Sequence, residues 1–211
     1  MVALAALVWH STHPDGVDVR VASALYARPE STVRSAFAAV TVLGEPAVAV
    51  TLAVAVAVWV WSRTRNVVAA AFCPVAVAAA AVCESFTKTL VARARPATAV
   101  LAHATGRSFP SGHATAATAL GLATGLLAAV LVAERWRRAA GVGLGAYVGV
   151  VCLSRLVLGV HYLTDVVAGV AMAGAVVLAL TGFLPGSFQV GVRFRTGSEP
   201  RLGSTPRKAG P

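Results

Sequence analysis

A histidine and an aspartate with helical spacing are the residues in this sequence best suited to covalent chemistry. His161 and Asp165 are four positions apart, so on a helix their side chains lie on one face. A carboxylate that binds one imidazole nitrogen fixes the tautomer of the ring and leaves the other nitrogen free to attack an electrophile. His113 lies in a separate polar cluster and is able to donate a proton to a leaving oxygen. Together these residues predict a nucleophile, an orienting carboxylate and a general acid.

Three cations and a predicted helix start indicate that the electrophile is a phosphate. Lys88, Arg95 and Arg155 lie at the ends of three apolar blocks, where a cation is costly and is usually paired or functional. Arginine donors match the geometry of phosphate oxygens. Ser111 and Gly112 predict the N-terminus of a helix, whose free amide groups bind anions. Because these groups can neutralise a phosphoryl group in transfer, we expect neither a metal nor a cofactor.

These residues form three motifs that resemble the signature of the type 2 phosphatidic acid phosphatase superfamily. Three short motifs in the expected order, at the ends of apolar blocks, are far more specific than any one of them. The match in order and spacing covers about residues 37–184. The first motif is Lys88, six residues and Arg95-Pro96; the second is Pro110-Ser111-Gly112-His113; the third is Ser154-Arg155, five residues, His161, three residues and Asp165.

The resemblance implies a reaction and a role for each residue. His161 would be the nucleophile that forms a phosphohistidine, Asp165 its partner and His113 the acid. The superfamily includes bacterial undecaprenyl-diphosphatases, phosphatidylglycerophosphate phosphatases, glucose-6-phosphatase and vanadium haloperoxidases. We therefore expect a metal-independent membrane phosphatase that acts on undecaprenyl diphosphate, phosphatidylglycerophosphate or phosphatidate. The residues expected to bind the phosphate are Lys88, Arg95, Ser111, Gly112 and Arg155.

Three other functions could use the same residues. A lipid phosphotransferase would pass the phosphoryl group from the histidine to an alcohol instead of water. A transporter or lipid-binding protein would use the cations to hold an anion. However, the sequence has no internal repeat of the kind that many transporters show, and a transporter would not need His113, His161 and Asp165. A haloperoxidase would hold vanadate in such a site, but long apolar blocks argue against it.

The composition indicates that a membrane positions these motifs. Of 211 residues, 57% are hydrophobic and 12% are charged, whereas soluble domains carry about 25% charged residues. We expect an all-α, polytopic transmembrane helix bundle with five spans, whereas membrane members of the superfamily usually have six. Each span approaches the roughly 20 residues that a bilayer requires. The five apolar blocks are residues 37–61, 67–91, 113–133, 139–158 and 162–184.

The blocks divide the chain into three parts. Residues 1–36 are predicted to be a short apolar stretch and an interfacial, partly helical segment. Residues 37–184 are predicted to form the membrane phosphatase domain, and residues 185–211 a disordered basic tail. The net charge of +10 comes from cations between the blocks and in this tail, and the sequence has no recognised nucleic-acid module. The expected partners are therefore a lipid phosphate and the bilayer, not nucleic acid, and the oligomeric state is left open.

Arginine clusters predict the orientation of the chain. Arg63 and Arg65 follow the first block, three arginines in residues 135–138 follow the third, and the basic tail follows the fifth. The positive-inside rule makes that side cytoplasmic. We therefore expect a multi-pass cell-membrane protein with its active site on the extracytoplasmic side. Arg93 and Arg107 are also outside on this interpretation, and an anionic substrate would account for them.

Two further groups of residues have simpler interpretations. Glu84 lies one helical turn before Lys88 and is predicted to pair with it. His10 and His13 are three positions apart, but only Asp15 lies near them in the sequence, so a metal site is not expected there.

Overall fold

The computed structural model describes residues 14–26, 28, 30–98 and 106–186. Within these residues the chain is all α-helical, and five helices are long and apolar enough to cross a membrane. This confirms the predicted fold class and the number of spans. The predicted N-terminal apolar stretch, His10, His13 and nearly all of the predicted basic tail lie outside the described residues.

Two short helices precede the membrane helices. Helix α1 spans Gly16–Leu25 and helix α2 spans Thr32–Thr41. Each follows a polar residue whose side chain accepts a hydrogen bond from a backbone N–H three positions later, at Asp15 and at Ser31. Such N-caps satisfy donors that have no partner within the helix. The predicted interfacial segment therefore contains α1 and the first half of α2.

Five long helices form the bundle. Four of them agree closely with predicted apolar blocks because each block is bounded by polar residues, glycine or proline. A single 3₁₀ turn, Thr181–Phe183, follows the last helix. The helices are α3 (Pro46–Thr64), α4 (Val67–Val91), α5 (Gly112–Leu131), α6 (Glu134–Val157) and α7 (Leu163–Leu180).

The first predicted span is wrong at its N-terminal end. The sequence predicts one apolar block over residues 37–61, but α2 ends at Thr41, a 3₁₀ turn follows at Val42–Gly44, and α3 begins at Pro46. Proline has no backbone N–H and clashes with a preceding helical turn, so it is favoured in the first turn of a new helix. Helix α2 consequently packs against α6 instead of extending α3.

Helix α5 is the centre of the bundle. Inside the bundle, 61% of the apolar membrane-spanning stretch of α5 is buried, against 17% to 44% for the other four helices. Small side chains allow close approach of helices where no hydrophobic effect drives them together. Large apolar side chains such as Val58, Val82 and Phe86 are exposed on the outside, as expected for a surface that faces lipid. The buried alanines of the core include Ala49, Ala53, Ala76, Ala119, Ala123 and Ala173.

The order of the helices brings five helix ends together. Because consecutive long helices alternate in direction, one end of the bundle holds the starts of α3, α5 and α7 and the ends of α4 and α6. Helix α1 packs against α6 and α7 at this end. All three sequence motifs occur at these helix ends. We call it the motif end of the bundle.

Candidate active site

A cavity of about 330 Å³ opens at the motif end of the bundle. Five of the eight predicted site residues line it, and they come from α4, α5 and the two loops that follow α4 and α6. Both predicted catalytic histidines are among them, so the two imidazoles share one cavity. The five residues are Lys88, Arg95, Gly112, His113 and His161.

His161 is almost completely buried, and both of its ring nitrogens have polar neighbours. Its Nδ1 lies 3.4 Å from Asp165 Oδ2 and 3.5 Å from Ser108 Oγ. Its Nε2 lies 3.1 Å from Arg95 Nη1. Burial lowers the pKa of His161 to about 4, with nearby Arg95 and Arg155 acting in the same direction and Asp165 opposing them. The ring is therefore neutral at physiological pH, which is the form able to act as a nucleophile.

Asp165 is fully buried and is held from several directions at the start of α7. It accepts hydrogen bonds from Tyr162 N at 2.9 Å and from the Ser108 hydroxyl. It also pairs with Arg93, whose Nη1 lies 2.7 Å from Asp165 Oδ1. A carboxylate with this many donors is firmly oriented.

His113 lies in the first turn of α5 and faces the same cavity. Its Nε2 is buried and has no hydrogen-bond partner among the described residues. The nearest carboxylate is Glu45, whose Oε1 is 3.9 Å away and whose side chain is half exposed. Gly44 permits this arrangement, since a Cβ at that position would lie 3.1 Å from the His113 ring. The imidazole is therefore free to interact with a group that enters the cavity.

The predicted phosphate-binding cations have partners within the protein. Lys88 forms an ion pair with Glu84, which confirms that predicted pairing, and Glu84 itself lines the cavity. Arg95 donates to Val160 O at 2.9 Å. Its pKa is lowered, mainly by burial, while Asp165 and Glu84 oppose the shift.

Arg155 is buried behind the cavity near the end of α6 and donates to the Thr41 hydroxyl of α2. It does not line the cavity, although its charge acts on both His113 and His161. Ser154 of the same motif also reaches Thr41, at 3.1 Å between the two hydroxyl oxygens. Helix α2 therefore braces the third motif, a contact that the sequence does not reveal.

The start of α5 is built as the sequence predicts. Ser111 is the N-cap residue and Gly112 the first helical residue. The Ser111 N–H donates to Asp165 O at 3.0 Å, while its buried hydroxyl has no partner within the described residues. A Cβ at Gly112 would lie 2.9 Å from Glu84 Oε1, so a larger residue would require the Glu84 carboxylate to shift.

Several residues that contact the motif residues, directly or through Arg93, were missed by sequence reasoning. Asp18, Thr41 and Ser108 are polar, and two of them lie far from the motifs in the chain. The sequence predicts Arg93 to be an outer cation that an anionic substrate would account for, but its side chain is fully buried and paired with two carboxylates. Arg107 likewise donates to the carbonyls of residues 88 and 89 at the end of α4. The only sequence signal for Arg93 was its position two residues before Arg95.

Comparison with known proteins identifies the family of this chain. The model of the PAP2 superfamily matches residues 69–188, a range that contains all three motifs. The chain belongs to the PAP2 superfamily. This membership confirms the predicted resemblance, and with the five apolar helices it makes the protein a multi-pass membrane protein of that superfamily. PAP2 membership also supports phosphatase activity.

A solved PAP2 structure has the same fold. The crystal structure of the first transmembrane PAP2 type phosphatidylglycerolphosphate phosphatase, from Bacillus subtilis, aligns with a TM-score of 0.75 and 20% sequence identity. The alignment covers 86% of this chain and 94% of that chain. At this identity the likeness concerns the fold. No curated protein matches this chain.

Proposed function

We propose that this protein is a membrane-embedded phosphatase of lipid phosphates or diphosphates that acts through a phosphohistidine on His161. The observation that carries the proposal is the arrangement around this imidazole. Its Nδ1 faces Asp165, while its Nε2 lies beside Arg95 in the cavity that also contains Lys88 and His113. A neutral, oriented imidazole facing a group of cations is suited to attack a phosphorus atom.

The reaction consists of two transfers. In the first, His161 Nε2 forms a bond to phosphorus, the bond from phosphorus to the lipid oxygen breaks, and protonated His113 supplies a proton to that oxygen. In the second, water attacks the phosphohistidine, the P–N bond breaks, and neutral His113 accepts a proton from the water. Lys88, Arg95 and Arg155 supply positive charge for the transferring group. These cations make a metal-independent reaction the simplest form of the proposal.

The shape of the cavity supports a lipid substrate. Its charged side chains are at the motif end, whereas its remaining wall is built largely from apolar residues of α3 and α4. Among these, Val50, Ala78 and Ala81 are also exposed on the outer surface of the bundle. A phosphate is therefore able to reach the cations while its hydrocarbon chain extends between α3 and α4 into the bilayer. Undecaprenyl diphosphate is the favoured candidate, and phosphatidylglycerophosphate and phosphatidate share the required chemistry.

The arginine clusters support an extracytoplasmic active site. Arg63 and Arg65 follow α3, and the three arginines of residues 135–138 lie at the start of α6. Both clusters are at the end of the bundle opposite the motifs. By the positive-inside rule their side is cytoplasmic.

Phosphate release by the purified protein tests the proposal. Wild-type protein in detergent should release phosphate from at least one member of a panel of lipid phosphates in the presence of a chelator, and vanadate should inhibit it. His161→Ala should abolish release, and His113→Ala should lower kcat by about 10²-fold to 10⁴-fold because proton transfer is lost. His10→Ala, which changes a histidine outside the motifs, serves as the control.

Trapping of the intermediate completes the test. An alkaline quench during turnover of a ³²P-labelled lipid phosphate should leave label on wild-type protein and none on His161→Ala. Phosphate release that persists in His161→Ala, or that requires magnesium, would contradict the mechanism.

A further inference from the structure

Arg93 joins two carboxylates from helices that are far apart in the sequence. Its Nη1 lies 2.7 Å from Asp165 Oδ1 in α7, and its Nη2 lies 2.6 Å from Asp18 Oδ2 in α1. All three side chains are completely buried. The guanidinium also stacks on the Tyr162 ring, with its Cζ 4.7 Å from the ring centroid. We call Asp18, Arg93 and Asp165 the carboxylate–arginine triad.

Asp18 is held as firmly as Asp165. It accepts hydrogen bonds from Thr164 N at 2.9 Å and from Thr164 Oγ1 at 2.6 Å. Arg93 Nη1 also donates to Thr164 Oγ1 at 2.7 Å. Thr164 immediately precedes Asp165, so Asp18 fastens α1 to the first turn of α7 by two direct hydrogen bonds, and Arg93 links the same residues a second time.

The charges of the triad do not cancel. Two carboxylates share one guanidinium, so the triad carries a net charge of −1, and removing one member of a buried ion pair leaves the others poorly compensated. Because the positive charge of Arg93 is shared by two carboxylates, it offsets the charge of Asp165 only in part. The electrostatic potential at His161 is therefore more negative than it would be beside a simple Arg93–Asp165 pair. Asp18 therefore influences the electrostatics of His161 without touching it.

His161 is otherwise surrounded by positive charge. Arg95 faces it from the loop after α4, Arg155 from α6, and Lys88 and His113 share its cavity from α4 and α5. Among the described residues, two carboxylates oppose these cations: Asp165 lies beside the ring, and Glu84 of α4 lines the same cavity and pairs with Lys88. The state of the triad should consequently affect how readily the imidazole becomes positively charged, as it must when it bonds to phosphorus.

We propose that Asp18 is a positioning residue for His161, acting through Arg93 and Asp165. It fixes the guanidinium so that Asp165 orients the imidazole, and it keeps the triad negative as charge develops on the ring. The effect on turnover rests on the proposed function. Residue 18 lies outside residues 69–188, to which the superfamily model corresponds, so the inference adds α1 to the catalytic apparatus.

The kinetic test compares two aspartates of the same helix. Asp18→Asn removes one charge of the triad, whereas Asp15→Asn removes a charge at the N-cap, where asparagine caps equally well. We expect Asp18→Asn to lower kcat by about tenfold to a hundredfold, as for a small misplacement of a reacting group. KM should stay within about twofold, since the cations of the cavity are unchanged. Asp15→Asn should behave as wild type.

Titration of His161 by NMR gives a measurement that does not depend on turnover. With Asp18 neutralised, Arg93 is left to Asp165 alone, so the imidazole faces less negative charge and its pKa should fall by about half a unit or more. Asp15→Asn, which removes the carboxylate at the N-cap of α1, should leave the pKa of His161 unchanged. A His161→Gln spectrum identifies the signal.

The proposal would be overturned if Asp18→Asn kept the wild-type kcat or the wild-type pKa of His161. It would also be overturned if Asp18→Asn raised only KM, or if Asp15→Asn lowered kcat by as much as Asp18→Asn. If Asp18→Asn does not yield a monodisperse protein, Thr164→Val replaces it, because this change removes two hydrogen bonds of the triad but no charge. We then expect a lower kcat at constant KM, and wild-type kinetics would overturn the inference.

If wild-type protein hydrolyses no lipid phosphate, the proposed function fails, and the NMR titration of His161 alone decides the role of Asp18.

Discussion

Glu84 places a carboxylate in a cavity whose other charged residues are cations or histidines. It pairs with Lys88 one helical turn later and lies beside Gly112. A phosphate that enters the cavity would compete with this carboxylate for the same ammonium group. The charge of Lys88 is therefore neutralised within the protein, and on the proposed function part of the binding energy of the substrate would be used to displace Glu84.

Neutralising Glu84 should tighten substrate binding. We expect Glu84→Gln to lower KM by about fivefold, or about 1 kcal/mol, because the pair is only partly shielded from solvent. The value of kcat should stay close to wild type, since His161 and His113 are unaffected. Steady-state phosphate release measures both constants, with Glu134→Gln, an exposed residue at the opposite end of the bundle, as the control. A higher KM would indicate that Glu84 orients Lys88 for the phosphate instead of competing with it.

At the scale of elements, the contact between α5 and α7 determines the distance between two motifs. Gly169 lies one turn after Asp165 on α7, and a Cβ there would lie 2.8 Å from Ser111 O and 2.9 Å from Thr115 Oγ1. The missing side chain lets the second motif approach the third closely enough for Ser111 N to bond to Asp165 O. No motif includes this glycine, yet its size allows the site to close.

Enlarging Gly169 should separate the two motifs. Gly169→Ala should lower kcat/KM by about tenfold or more, because the start of α5 must move away from α7. It should also reduce the free energy of unfolding by about 1–3 kcal/mol, as overpacking in a close contact does. Phosphate release and thermal unfolding in detergent measure the two effects.

Gly174→Ala on the same helix is the matched control for this change. A Cβ at Gly174 would have no neighbour within 4 Å, so the substitution should leave activity unchanged. It should also raise stability slightly through helix propensity. Equal behaviour of the two variants would contradict the close-contact explanation.

At the scale of the whole molecule, alternating helices separate two chemically different ends. The motif end carries the cavity, and the opposite end carries the arginines at the end of α3 and at the start of α6. The buried core between them is built from small side chains, while large aliphatic and aromatic groups face outward. A bilayer is the solvent that such a surface requires.

Cysteine labelling should reveal which end faces the cytoplasm. In a variant without the three native cysteines, Ala94→Cys at the motif end should react with an impermeant maleimide in intact cells. Ala133→Cys at the other end should react only after permeabilisation. Both alanines are exposed in loops, which makes the two sites comparable. The reverse pattern of labelling would contradict an extracytoplasmic active site.

The sequence by itself determined the helical membrane fold, four of the five spans and the grouping of the three motifs. Long apolar blocks and fixed motif spacing are local signals, and alternation of spans then brings the motif ends together. Only the tertiary structure decided that Arg93 joins two buried carboxylates, that Asp18 bonds to Thr164 at the start of α7, and that Arg155 donates to Thr41. The close contact that requires a small residue at Gly169 is also visible only in the packed helices. These contacts join residues separated by as many as 146 positions. A buried charge reveals its partner only when the helices are packed, because the pairing depends on proximity in space and not on spacing along the chain.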